Sequence, residues 1–170
     1  MTKVTIIVAS TRPSRVGHLI GDWVEQETEA FKGFTEVELV DLAERDLPFM
    51  NEPHHPRLKR YVHQHTLDWS ATVSEADAFI FVMPEYNYGY NAELKNAIDY
   101  LHREWQYKPV GLVSYGGVSG STDDQAGRQA LPKRRVLAAV QLPWVTRSAI
   151  YRAISSALVA AGDGAFRTCT

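Results

Sequence analysis

The chain has 170 residues, 45% of them hydrophobic, which suits one globular domain built on one core. Eighteen basic residues against 20 acidic ones leave a net charge of -2, without the basic excess that nucleic acid or an anionic membrane surface selects. The single cysteine, Cys169, rules out a disulfide framework within the chain and suits a reducing compartment.

The opening run MTKVTIIVAS is too short for a signal peptide or a spanning helix, and no other run reaches spanning length. A soluble cytoplasmic protein is expected. Residues 4–9 form a β-branched run suited to a strand buried on both faces. A polar turn follows, and the spacing of Ile20, Trp23 and Val24 predicts a helix over 17–31. TEVELVDL, residues 35–42, alternates as a second strand. Residues 41–56, with Pro48, Pro53 and Pro56, read as a loop holding His54 and His55, placed at the rim of a site or at an interface. Val62, Thr66, Trp69 and Val73 predict a second helix over 58–74. It carries His63 and His65, whose spacing does not put two imidazoles side by side on a helix, so no metal site is assigned.

ADAFIFVM, residues 76–83, is a third buried strand. Asn91 is placed to cap a third helix with Leu94, Ala97, Ile98 and Leu101 facing inward. Residues 110–114 make strand four. A helix over 123–139 contains Pro132, which kinks or splits it. A fifth strand falls in AVQLPWVT, residues 139–146, with Pro143 fitting an edge position. Ile150, Ile154 and Leu158 suggest a short last helix. Strands alternating with helices imply right-handed βαβ units, hence a doubly wound five-stranded parallel sheet of the α/β class with helices on both faces. Ligands of such sheets bind beyond the C-terminal strand ends, at the point where strand order reverses.

Three segments after strand ends carry chemistry. Residues 10–17, STRPSRVG, place hydroxyls and two arginines just before a helix. Helix N–H groups favour an anion there, and Arg12 or Arg15 can add a charged phosphate contact. The segment is neither GxGxxG nor GxxxxGK[ST], which disfavours a dinucleotide fingerprint and a P-loop. After strand three, Pro84, Tyr86, Asn87 and Tyr88 offer backbone amides and aromatic faces to a flat ligand, or a surface to a partner subunit. Glu85 is placed there as a general base or as a brace. After strand four, Gly116, Gly117 and Gly120 allow close approach of backbone to ligand. A phosphoacceptor receiver needs carboxylates at the ends of strands one and three; here those ends are Ala9-Ser10 and Met83-Pro84.

With STRPSRVG, PEYNYGYNAELKNAIDYL and KPVGLVSYGGVSG in this order, the chain resembles the flavodoxin-like NADPH-dependent FMN reductase family, which includes azoreductases, quinone reductases and chromate reductases. The resemblance implies sheet order 2-1-3-4-5 and FMN bound without a covalent link. The FMN phosphate would rest on Ser10, Arg12, Ser14, Arg15, Val16 and Gly17. The ring would lie against Pro84, Glu85, Tyr86, Asn87 and Tyr88, with Ser114, Tyr115, Gly116 and Gly117 closing the other side. It further implies NAD(P)H as hydride donor, a small acceptor (free flavin, quinone, azo compound or metal ion) and a ping-pong cycle without a dedicated catalytic side chain or metal. A homodimer or tetramer is expected, with Tyr88, Tyr90 and Trp105 as interface aromatics. The competing readings are a non-enzymatic flavodoxin-like electron carrier, against which a charge of -2 argues, and a flavin-binding regulatory protein. The third motif departs from the family pattern at Ser121, where a further glycine is usual.

Overall fold

The computed structural model describes residues 2–116 and the backbone of residues 136–142. The expected kinked helix up to residue 135, Pro143, the last helix, Cys169 and Gly117 lie outside the described residues. In chain order the elements are β1 (Lys3–Val8), α1 (Gly17–Phe31), β2 (Glu36–Asp41), α2 (Leu42–Arg45), a 3-10 turn (Pro56–Leu58), α3 (Gln64–Glu75), β3 (Ala78–Tyr86), β4 (Gly89–Tyr90), α4 (Ala92–Asp99), β5 (Val110–Tyr115) and β6 (Val136–Leu142).

Five strands pair in parallel in the order β2-β1-β3-β5-β6, and β4 pairs only with β3. Leaving out the two-residue β4, this is the expected 2-1-3-4-5 order. The chain moves outward from β1 to β2, then crosses back to place β3 on the other side of β1. The reversal therefore lies between β1 and β3.

Strand side chains alternate faces, and the two resulting layers are distinct. Val4, Ile6, Ile80, Val82 and Val113 meet α1 through Val24, Ile20 and Trp23. Ile7, Phe79, Phe81, Met83 and Leu112 meet α3 and α4 through Trp69, Val73, Leu94, Ala97 and Ile98. The expected inward stripe of α4 is buried throughout. Helix α1 approaches β1 closely enough that a Cβ at Gly21 would lie 2.4 Å from Val8 Cγ2.

Four expectations change. The second helix begins at Gln64 rather than residue 58, because His63 is extended (φ -94°, ψ 139°), and Val62 lies outside it, 56% exposed. The supposed loop after β2 opens with α2, whose N-cap Asp41 accepts from the Ala43 N–H at 2.9 Å. Residues 136–139, read as the end of a helix, belong to β6 in register with β5. Trp105 is no interface residue: only 2% exposed, it packs on Trp69, Phe79 and Phe81 and donates its indole N–H to Ile98 O at 3.1 Å.

Candidate flavin site

The corner after β3 is a hairpin. Residues Glu85 and Tyr86 pair antiparallel with Tyr90 and Gly89, which leaves Asn87 and Tyr88 as a two-residue turn. Both have positive φ, 52° and 65°, as a type I′ turn requires. Asparagine tolerates this region; tyrosine is strained in it. Tyr88 is nonetheless kept there, 72% exposed at the hairpin tip. Strain of this kind concentrates at functional sites.

Beside it, the β1–α1 loop leads into an uncapped helix. The N-cap position is Val16, no side chain caps the first turn, and that turn has no acidic residue. The positive end of α1 is therefore open to an anion. Ser10 is 1% exposed, and its Oγ has no partner at hydrogen-bonding geometry. A Cβ at Gly17 would lie 2.1 Å from that Oγ and 2.4 Å from Tyr115 Oη, so glycine keeps a small space clear. Ser14 and Val16 are exposed.

The two arginines differ. One nitrogen of Arg15, Nη1, reaches Asp41 at 2.7 Å and 2.6 Å and donates to Ser10 O at 2.9 Å. It ties the loop to the end of β2. Arg12 instead holds its guanidinium carbon 5.5 Å from the Tyr86 ring centroid, a cation–π contact that joins the loop to the hairpin.

The end of β5 closes the group. Ser114 and Tyr115 pair in register with Met83 and Pro84. A Cβ at Gly116 would lie 2.7 Å from Glu85 Cβ and 3.2 Å from Glu85 Oε2, so β5 can approach the hairpin only with glycine there. Burial pushes the Tyr115 phenol up, opposed by the Ser10 hydroxyl and by the Arg15 and Arg12 charges. The three segments thus touch through Arg12–Tyr86, Gly17–Tyr115 and Glu85–Gly116.

Other residues hold the loop in roles that the sequence does not suggest. Asn91 occupies the N-cap position of α4, but its side chain does not cap: Nδ2 donates to Ala9 O and to Glu93 Oε2, both at 2.7 Å. Glu93 Oε1 accepts from Thr11 Oγ1 at 3.0 Å. A cavity of about 420 Å³ shares Thr11 and Glu93 with this tie and is otherwise walled by Leu42, Pro48, Phe49 and Asn96, and by none of the expected site residues. Buried polar atoms and the open end of α1 meet instead at the three-segment convergence.

His55, His63 and His65 have their partners away from these three segments. His55 Nδ1 accepts from Arg57 N at 3.1 Å and caps the 3-10 turn. His63 and His65 do stack, with centroids 5.2 Å apart and planes 8° from parallel, because His63 precedes the helix. Both bond to Asn51. Among the described residues no group of three or more His, Cys, Asp or Glu side chains could hold a metal ion.

Known proteins give this geometry its context. Over 120 residues the chain is 40% identical to an NAD(P)H-dependent FMN reductase of Schizosaccharomyces pombe, covering 69% of this chain and 60% of that protein. Over 168 residues it is 32% identical to an NAD(P)H-dependent FMN reductase of a Nectria species, covering 94% of this chain and 84% of that one. The flavoenzyme FerB, an NAD(P)H:(acceptor) oxidoreductase of Paracoccus denitrificans, shares the fold with a TM-score of 0.64 at 20% identity, covering 98% and 95% of the two chains. The family model for NADPH-dependent FMN reductases matches residues 2–147. The chain belongs to the NADPH-dependent FMN reductase family, a family of oxidoreductases that use FMN and NAD(P)H.

Proposed function

We propose that this protein binds FMN at the convergence of the β1–α1 loop, the β3–β4 hairpin and the end of β5, and reduces a small acceptor with NAD(P)H. The observation that carries this reading is the buried, unpartnered Ser10 Oγ at the open N-terminus of α1, in a space only glycine at position 17 leaves clear. Those groups fit a phosphate monoester.

Ser10, Ser14 and the N–H groups entering α1 hold the phosphate, with Arg12 adding charge. Arg15 holds the loop in place through Asp41. Pro84 to Tyr88 seat the ring, and Glu85 braces the hairpin against Gly116. When bound, FMN supplies the redox chemistry, taking hydride from NAD(P)H and passing reducing equivalents to a quinone, azo compound, free flavin or metal ion in a ping-pong cycle. Tyr86, Asn87 and Tyr88 orient the reactants along one open face and lend no nucleophile.

The protein works in the cytoplasm as a homodimer or tetramer. Among the described residues no helix is long and apolar enough to cross a membrane. Phe49, 84% exposed, and Tyr88, 72% exposed, supply aromatic surface for a second copy. Initial rates of NAD(P)H oxidation at several acceptor concentrations test the proposal. Parallel reciprocal plots are expected, with inhibition by excess of either substrate. Intersecting plots rule out a shared face, and an absence of turnover favours the electron-carrier reading.

A further inference from the structure

Tyr115 ends β5, two strands from β1 in the sheet. Its place in the third motif puts it among the residues closing on a flavin ring. Its side chain goes elsewhere. It packs with the α1-face cluster of Val4, Ile6, Val24 and Val82, and its hydroxyl ends at the start of α1. There Tyr115 Oη is shielded from solvent, and like Ser10 Oγ it has no partner at hydrogen-bonding geometry.

The two buried hydroxyls lie close enough for Ser10 to act on the Tyr115 phenol, yet neither makes a well-aligned hydrogen bond, and a buried group without one loses about 1–3 kcal/mol of hydration. Their neighbours are the open end of α1 and, acting on the phenol, the charges of Arg12 and Arg15. Of the carboxylates around these segments, Asp41 is paired with Arg15, Glu93 accepts from Thr11 and Asn91, and Glu85 lies on the hairpin side against Gly116. The surroundings therefore suit an anion that accepts hydrogen bonds. The phenol keeps its proton, because burial pushes its ionisation upward, and it can donate.

We propose that Tyr115 is a phosphate ligand: its hydroxyl and that of Ser10 form a two-donor floor beneath the FMN phosphate, and Gly17 lacks a side chain so that the floor stays reachable. The inference rests on the FMN reading and adds to it. On either side of Tyr115, Ser114 pairs with Met83 just before the hairpin, and Gly116 abuts Glu85 within it. One strand end would thus read both ends of the cofactor, making phosphate recognition and ring placement interdependent.

The test is titration of flavin-free protein with FMN and with riboflavin, together with inorganic phosphate as a competitor for FMN. Tyr115→Phe keeps the ring and removes only the oxygen. It is expected to weaken FMN by about ten- to a hundredfold, as loss of a charged hydrogen bond does. Riboflavin affinity should stay unchanged, phosphate should compete less well, and the flavin-free variant should unfold no earlier than wild type. Ser10→Ala should act in the same direction, and Gly17→Ala should abolish the preference for FMN by filling the floor. Equal losses for FMN and riboflavin in Tyr115→Phe, or no loss for either, would overturn the assignment while leaving the FMN reading intact. Wild-type protein that binds neither flavin overturns both.

Discussion

Arg15 and Asp41 form a charged pair across the sheet end, Nη1 to Oδ1 at 2.7 Å, with only 18% and 12% of the two side chains exposed. Asp41 also caps α2, so one carboxylate fixes both the β1–α1 loop and the turn after β2. Arg12 instead lies over the Tyr86 ring, and it is the arginine we propose meets the phosphate.

The two arginines should therefore separate by experiment. Arg15→Ala is expected to lower the unfolding free energy of flavin-free protein by about 1.5–3 kcal/mol, the worth of a charged hydrogen bond. Arg12→Ala loses only a cation–π contact, about 0.5–1 kcal/mol when exposed. It should instead weaken FMN relative to riboflavin by about ten- to a hundredfold. Urea unfolding and flavin titration read the two effects. A large stability loss in Arg12→Ala with unchanged flavin preference would reverse the assignment.

The hairpin tip offers a trade between stability and activity. Tyr88 carries a φ of 65°, which costs a non-glycine residue about 1–2 kcal/mol. Tyr88→Gly should unfold no earlier than wild type while reducing bound flavin more slowly with NAD(P)H. Thermal unfolding and single-turnover reduction decide it; an unchanged reduction rate removes Tyr88 from the site.

At Gly21 two effects oppose one another. Alanine in a helix interior is favoured over glycine by about 1 kcal/mol. Here its Cβ would lie 2.4 Å from Val8 Cγ2 in the core, and overpacking costs about 1–3 kcal/mol. The clash should win, and Gly21→Ala should melt below wild type. A raised melting temperature would show that α1 can move off β1 without loss.

Glu104 should govern part of the acid sensitivity. Burial raises its carboxyl, but bonds from its own N–H, Ser70 and Tyr61 and the Lys59 charge outweigh that and hold it below the ordinary glutamate value. The unfolded chain then binds more protons in the acidic range, so stability rises with pH there. The contribution is complete above the unfolded-state pKa and is lost as pH falls through the folded-state value. Wild type should lose stability on acidification more steeply than Glu104→Gln; matching slopes in urea titrations across that range would contradict this.

How much of this was legible depended on how local each signal was. The runs of β1 and β3 and the periodicity of Leu94, Ala97 and Ile98 gave sheet and helix directly, because burial on one or both faces writes itself into spacing. Asp41 followed by Glu44 is a readable helix start, masked by Pro48, Pro53 and Pro56 in the same stretch. The hairpin was obscured because Asn87 is followed by Tyr88 where glycine usually marks such a turn. Arg15–Asp41, 26 residues apart, and the reach of Tyr115 across β3 depend on strand order, which no local pattern encodes. Trp105 reads in the sequence as an interface aromatic beside Tyr88 and Tyr90, yet tertiary packing buries it.

The central claim is that this chain holds FMN where NAD(P)H can reduce it. Anaerobic stopped-flow mixing of FMN-loaded protein with NADPH or NADH tests it most directly. The account predicts about one FMN per subunit, loss of oxidised-flavin absorbance in a single hydride-transfer phase, and return of that absorbance on mixing with a quinone. Loaded protein whose flavin neither nicotinamide reduces would contradict it.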